Sequence, residues 1–254
     1  KNIKKEDIVT YYQNNILTSQ MVLVTSGDIS IDVIKKEFTF LESLNFSVRT
    51  PKNDLAVNQQ KRILIEKFNQ NDQITFSYAF RTGNISDTTN PTLSIILQAL
   101  AATRSSRLIT RLRYENGLIY GINSWHEQLF DAGTWGFQTS TSKSNFQKVI
   151  DIIEKEFYTI IQDGLPESDL NFVKNKIIKS SRLNLQTSES IVGFHAYKQF
   201  INSDKPWTIQ DYTESLEKVD CGLIKAAAIR YLNPTKSYLA VCGDISEKEI
   251  NLAK

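Results

Sequence analysis

Histidine, cysteine and same-sign charge runs are scarce in this chain, and each scarcity removes a class of chemistry. The two histidines, His126 and His195, stand 69 residues apart, and neither begins a sequence-local metal-ligand motif. Two cysteines, Cys221 and Cys242, are too few for a disulfide framework and read as two separate core thiols. A formal net charge of +2 with no long basic run gives no case for nucleic acid. No apolar run is long enough to cross a bilayer, and there is no secretory signal. The opening KNIKKEDIVT lacks an initiator Met and runs directly into folded-looking sequence. It reads as an internal start, which leaves a removed leader and the compartment open. Nucleophile elbows, Walker loops and dinucleotide fingerprints are absent as well.

What is present is ample core material. With 254 residues, 41% hydrophobic and 10% aromatic, the chain has enough to fill one large domain, or one domain and part of a second, without disulfides or structural metals. Two stretches resemble each other: YYQNNILTSQMVLVTSGDIS near the start and AIRYLNPTKSYLAVCGDIS near the end. Aligned on Gly27 and Gly243, they lie 216 residues apart. Each has an apolar strand (Met21 to Val24; Tyr238 to Val241), then Gly-Asp-Ile-Ser, then a helical pattern that Ser30 or Ser246 can cap. The placement predicts a duplicated unit. Residues 1–46 are then the closing strand and helix of a preceding homologous domain, and 47–254 a second domain.

Between these ends the pattern is mixed. In residues 74–81, Ile74, Phe76, Tyr78 and Phe80 alternate with polar neighbours, as in a strand buried on one face. Asn90-Pro91 opens a helix running from about Thr92 to Leu100. A second helix is expected from Ser106 to about Tyr114, stopped by Gly117. Strands follow at about 118–127 and 133–141, joined at Asp131-Ala132-Gly133. Phe146, Val149, Ile150, Ile153, Phe157, Ile160 and Ile161 mark one face of a helix that Gly164 ends. Pro166 opens another, with Glu167 and Asp169 in its first turn and Lys179 and Arg182 toward its end. Further helices are expected at about 188–202 and 208–219, and a shorter one before Asn233-Pro234. Strands followed by helices predict an α+β fold, an antiparallel sheet covered by helices on one side.

The chemistry concentrates in residues 106–125, SRLITRLRYENGLIYGINSW. Arg113 carries a guanidinium with a fixed fork of N–H donors, and Tyr120, seven residues on, a phenolic hydroxyl. Gly117 should break the helix between them, so the two side chains would converge from different elements. Taken alone, the pair also has a plain structural reading: an Arg meeting a helix C-terminal dipole and a Tyr packing in a strand. Ser106, Arg107, Leu108, Arg113, Gly117, Leu118 and Tyr120 together resemble the second-domain signature of the insulinase, pitrilysin and mitochondrial-processing-peptidase family. The Gly-Asp-Ile elements, the strand GTWGFQTST and the helix opened by Gly-Leu-Pro-Glu fall where that family has its landmarks. Two departures stand out. Tyr114 occupies the family's Glu position, with Glu115 one residue later, and Ala101-Ala102-Thr103-Arg104 replaces a glycine-rich turn.

The resemblance implies the layered sandwich of a processing-peptidase half. It assigns Arg113 and Tyr120 as the catalytic, substrate-binding pair that holds peptide main chain near a zinc ion. The family's H-x-x-E-H motif is absent from this sequence, so no metal ligand is assigned here. His126-Glu127 reads as surface or hairpin packing, and His195 as a helix histidine. The resemblance places zinc on a partner half or subunit bearing H-x-x-E-H, the two halves closing like a clamshell over a peptide. Two other arrangements remain open: a catalytically inactive structural or peptide-binding subunit, and a homodimer whose own preceding domain carries the zinc motif.

Overall fold

The computed structural model describes residues 2–16, 21–43, 62–68, 72–201 and 208–253. By contacts the chain divides into two units, one of Lys1–Pro51 with Ser180–Tyr212, the other of Lys52–Lys179 with Thr213–Lys254.

The smaller unit begins with α1 (Lys5–Asn15) and α2 (Ile31–Glu37). The Asp7 carboxylate accepts the Lys4 amide at 2.8 Å. Ser30 caps α2 as its sequence predicts, its hydroxyl accepting the Val33 amide at 3.3 Å. Residues 21–26 form no strand, a departure from the sequence expectation; no ladder partner for them exists among the described residues. Leu23 and Ile29 are 45% and 50% exposed.

Among the described residues the larger unit has five strands: β1 (Ile63–Glu66), β2 (Gln73–Thr82), β3 (Ile122–Gln128), β4 (Gly133–Ser142) and β5 (Tyr238–Cys242), in the spatial order β1-β5-β2-β4-β3. All pairings are antiparallel except β1 with β5, which is parallel, so the expected antiparallel sheet is a mixed one. The period-2 reading of β2 holds: Ile74, Phe76, Tyr78 and Phe80 are at most 1% exposed. On that face lie α3 (Asn90–Leu100), α5 (Phe146–Asp163) and α9 (Cys221–Tyr231), with the short α4 (Arg107–Ile109) against α3 and α5. Phe157 of α5 is the hub, its ring 5.0–6.4 Å from those of Phe80, Tyr78, Trp135 and Phe137. The Trp135 indole donates to the Leu93 carbonyl at 3.0 Å, so burial of its N–H is matched by an acceptor. The other sheet face carries small polar groups, among them Thr75, Ser77, Gln138 and Ser140. Thr75 and Ser140 share a hydroxyl hydrogen bond of 2.9 Å across β2 and β4.

Three more helices are α6 (Glu167–Asn184), α7 (Ser188–Ile201) and α8 (Ile209–Glu217), close to their expected spans. The second Gly-Asp-Ile-Ser leads into less helix than expected. Ser246 caps only a single 3-10 turn, Glu247–Glu249, and Glu249 accepts from both its amide and hydroxyl. The cysteines are free, but neither is buried: Cys221 is partly exposed and Cys242 exposed. Cys242 falls on the open face of β5, opposite the buried Val241. Among the described residues no helix is long and apolar enough to cross a membrane.

Candidate functional site

Much of the segment 106–120 is tied down by identifiable contacts. Ser106, 1% exposed, closes the preceding turn by donating its hydroxyl to the Thr103 carbonyl at 2.6 Å. Leu108 and Leu112 are fully buried. Arg107 and Arg111, one helical turn apart, both reach Glu156 of α5, at 2.7 Å and 3.2 Å. Arg111 also pairs with Glu115 at 3.3 Å. The Glu115 pairing makes a salt bridge one position after the signature's usual Glu.

After Ile109 the backbone widens into a π-helical turn, Thr110–Glu115, a geometry enriched at functional sites. Gly117 ends it with φ +60, the left-handed conformation that favours glycine. Its amide donates to the Arg113 carbonyl at 3.1 Å, and the Leu118 amide to the Leu112 carbonyl at 2.7 Å. The chain then continues without regular structure through Leu118 and Ile119, both buried, before β3 begins at Ile122. Tyr120 therefore precedes the strand instead of lying in it. Two β4 threonines hold this connection: the Thr141 hydroxyl donates to the Leu118 carbonyl and the Thr139 hydroxyl to the Gly121 carbonyl, each at 2.7 Å. With its neighbours pinned, Tyr120 is 86% exposed, which removes the packing role open to it from sequence alone.

Arg113 and Tyr120 come together. The guanidinium carbon lies over the Tyr120 ring, 4.9 Å from its centroid. It also lies over the Tyr114 ring at 5.5 Å, a contact the sequence reading did not include. Beside Tyr120 opens a groove of about 1010 Å³ at the end of the sheet, lined among others by Gln73, Asn123, Gln138, Ser140 and Asn145. Its polar groups are hydroxyls and amides, with Asp72 at one side, set among the apolar Leu118, Ile119 and Ile122. Such a lining can hydrogen-bond peptide main chain without selecting for charge.

Glu156 was also missed, although a signal existed. It falls on the apolar stripe of α5, three residues after Ile153 and four before Ile160, and a carboxylate there requires a buried partner.

The histidines do not form a metal site. His126 lies in β3 with its Nδ1 3.3 Å from both Ser94 Oγ and Gln128 Nε2. Burial pulls its pKa down to about 4, opposed by the Asp87 carboxylate. Its Nε2 is buried without a partner. His195 lies in α7, its ring edge-on to Phe194. No group of three His, Cys, Asp or Glu side chains that could hold a metal occurs among the described residues. These donors do not fit a catalytic zinc.

Residues 2–177 match the family model described as the peptidase M16 inactive domain. A zinc protease of Bacillus subtilis is 26% identical over 98 residues, 39% of this chain and 24% of that protein. One from Mycobacterium leprae is 25% identical over 158 residues, 62% of this chain and 35% of the relative. The chain thus spans about a third or less of the curated relatives it matches. Among solved structures, a protease from Helicobacter pylori superposes with a TM-score of 0.78 at 17% identity, covering 95% of this chain and 59% of the other. A peptidase M16 inactive domain from Pseudomonas fluorescens gives 0.75 at 18%, covering 87% and 52%. A chain of complex III2 from Candida albicans gives 0.72 at 13%, covering 98% and 61%.

Proposed function

Since the chain belongs to the peptidase M16 inactive-domain family, we propose that it is the non-zinc half of a clamshell zinc metallopeptidase. In this reading it holds peptide substrate and stabilises the transition state with Arg113 and Tyr120. The observation that supports it is the convergence of these two side chains, the Arg113 guanidinium carbon 4.9 Å from the Tyr120 ring centroid, with Tyr120 lining a groove that offers hydroxyl and amide groups. The Arg113 guanidinium donates to substrate main-chain carbonyls. The exposed Tyr120 hydroxyl donates to the oxyanion as it develops. The hydrolytic metal belongs to a partner half or subunit bearing H-x-x-E-H.

A second part of the reading concerns residues 1–46, which we assign to the closing strand and helix of a preceding homologous domain. Gly27 and Gly243 share positive φ values of 140° and 153°. Leu239 and Ile245, buried at 1% and 3%, correspond to Leu23 and Ile29, exposed at 45% and 50%. The second copy packs on β1 and β2; a sheet of the same kind would bury the first.

The test is peptide hydrolysis by the full-length parent protein together with an H-x-x-E-H partner, comparing wild type, Arg113→Ala and Tyr120→Phe. Removing one transition-state donor lowers kcat by about 10²–10³-fold, and assembly with the partner should survive both changes. Cleavage that persists in both variants refutes the assigned roles. A wild type that assembles but never cleaves supports the competing reading, a catalytically inactive subunit, a possibility raised by the fold shared with the complex III2 chain.

A further inference from the structure

Three arginines lie within seven residues of this segment, and two are committed to carboxylates: Arg107 to Glu156, Arg111 to Glu156 and Glu115. Arg113 differs. No carboxylate among the described residues comes within ion-pair distance of it, and its contacts are aromatic, the rings of Tyr114 and Tyr120 at 5.5 Å and 4.9 Å. Both rings are well exposed, at 57% and 86%, so neither is fixed by the core.

A carboxylate at position 114 would draw the guanidinium into an ion pair and occupy its N–H donors. An aromatic ring attracts the same cation through its face and accepts no strong hydrogen bond. We propose that Tyr114 is a positioning residue: with Tyr120 it clamps the Arg113 guanidinium between aromatic rings, leaving its N–H donors for a peptide carbonyl. The inference rests on the reading of Arg113 as a substrate-holding group and extends it to the residue at which this chain departs from the signature. Tyr114 does not touch the peptide itself; it limits where Arg113 can go. It also keeps Arg113 away from Glu115, the adjacent carboxylate, which Arg111 engages instead.

The clamp can be read without any catalysis. In the full-length protein, modification of individual arginines by phenylglyoxal is followed by peptide mass spectrometry in wild type, Tyr114→Phe and Tyr114→Leu. Loss of one exposed cation–π contact should speed reaction at Arg113 about two- to five-fold in Tyr114→Leu. Tyr114→Phe, which keeps the ring, should match wild type, and the rate at the exposed Arg230 should not change. Hydrolysis with the zinc-bearing partner is measured on the same variants. Tyr114→Leu should raise KM about two- to five-fold with a smaller change in kcat, and Tyr114→Phe should restore it. If the wild type cleaves but Arg113 reacts equally fast in wild type and Tyr114→Leu, the clamp is wrong and the parent reading stands. If the wild type cleaves nothing, the parent reading fails and takes with it the purpose assigned to the clamp.

Discussion

Glu156→Gln isolates the support beneath the site. The Glu156 side chain is 6% exposed and accepts from Arg107 Nε at 2.7 Å and Arg111 Nε at 3.2 Å, while those arginines are 26% and 53% exposed. Removing one member of a fully buried pair costs about 3–5 kcal/mol, and a hydrogen bond to a charged group is worth about 1.5–3 kcal/mol. Both arginines reach solvent and can recover hydration, which moves the expectation to about 2 kcal/mol. The amide keeps the shape of the carboxylate, so packing contributes little to this figure. For a folding unit of this size each kcal/mol shifts Tm by about 2–4 °C, giving a fall of about 4–8 °C in the transition of this unit. Thermal unfolding of the full-length protein, followed by circular dichroism, measures it. Arg111→Ala, which removes the more exposed contact, should cost under about 1 kcal/mol. A Glu156→Gln protein melting within about 1 °C of wild type would show that α5 does not hold the arginine helix in this way.

Three further outcomes rest on particular contacts. Gly243→Ala should destabilise by about 1–3 kcal/mol, because a Cβ there lies 2.5 Å from Ile74 Cδ1 and 3.2 Å from the Gln73 carbonyl oxygen at φ +153; denaturant midpoints would show it, and an unchanged midpoint would contradict the packing described. Thr141→Val removes the hydroxyl that holds the Leu118 carbonyl, so stability should drop by about 1–2 kcal/mol and peptide cleavage should fall in parallel as the Tyr120 segment loosens. His126 holds its pKa near 4 in the folded chain, below its unfolded value of about 6.5. Between those values the unfolded chain takes up a proton that the folded chain refuses, so stability, complete above the window, should fall by about 2–3 kcal/mol as pH drops through it. His126→Gln should flatten that slope in urea titrations, and an equal slope in both proteins would assign the pH dependence elsewhere.

Local periodicity carried much of the fold. The alternation through Phe76, Tyr78 and Phe80 and the apolar stripe through Val149, Ile153 and Phe157 report burial on one face, a property written into successive residues. Gly117 was equally legible, since its left-handed φ is a local demand. The parallel pairing of β1 with β5 was not, because it joins residues over 170 positions apart and neither strand encodes its partner. The strand expected from about residue 118 begins at Ile122 instead. Leu118 and Ile119 have strand-like composition, but this stretch is held by side-chain bonds from Thr141 to the Leu118 carbonyl and from Thr139 to the Gly121 carbonyl instead of a ladder. At the site, the family resemblance singled out Arg113 and Tyr120 and the helix break at Gly117 put them on different elements; the guanidinium lies over the Tyr120 ring. The second ring did not show: nothing in the sequence distinguishes a Tyr114 lying over a neighbouring guanidinium from one extended into water.

The position of β5 also bears on how the molecule is made. Strands β1 and β2 are close neighbours in sequence yet are held apart in the sheet by Tyr238–Cys242, which slots between them. During vectorial synthesis β2, β3 and β4 are available long before that strand emerges. Until then the near side of β2 is an open ladder, with Leu239 and Val241 missing from the face that covers the core. Folding of this unit therefore waits on its last-made strand, and the high sequence separation of the closing contacts predicts slow completion. A chain stalled before Tyr238 would expose a sticky β2 edge to its neighbours, where chaperone binding or aggregation competes with closure.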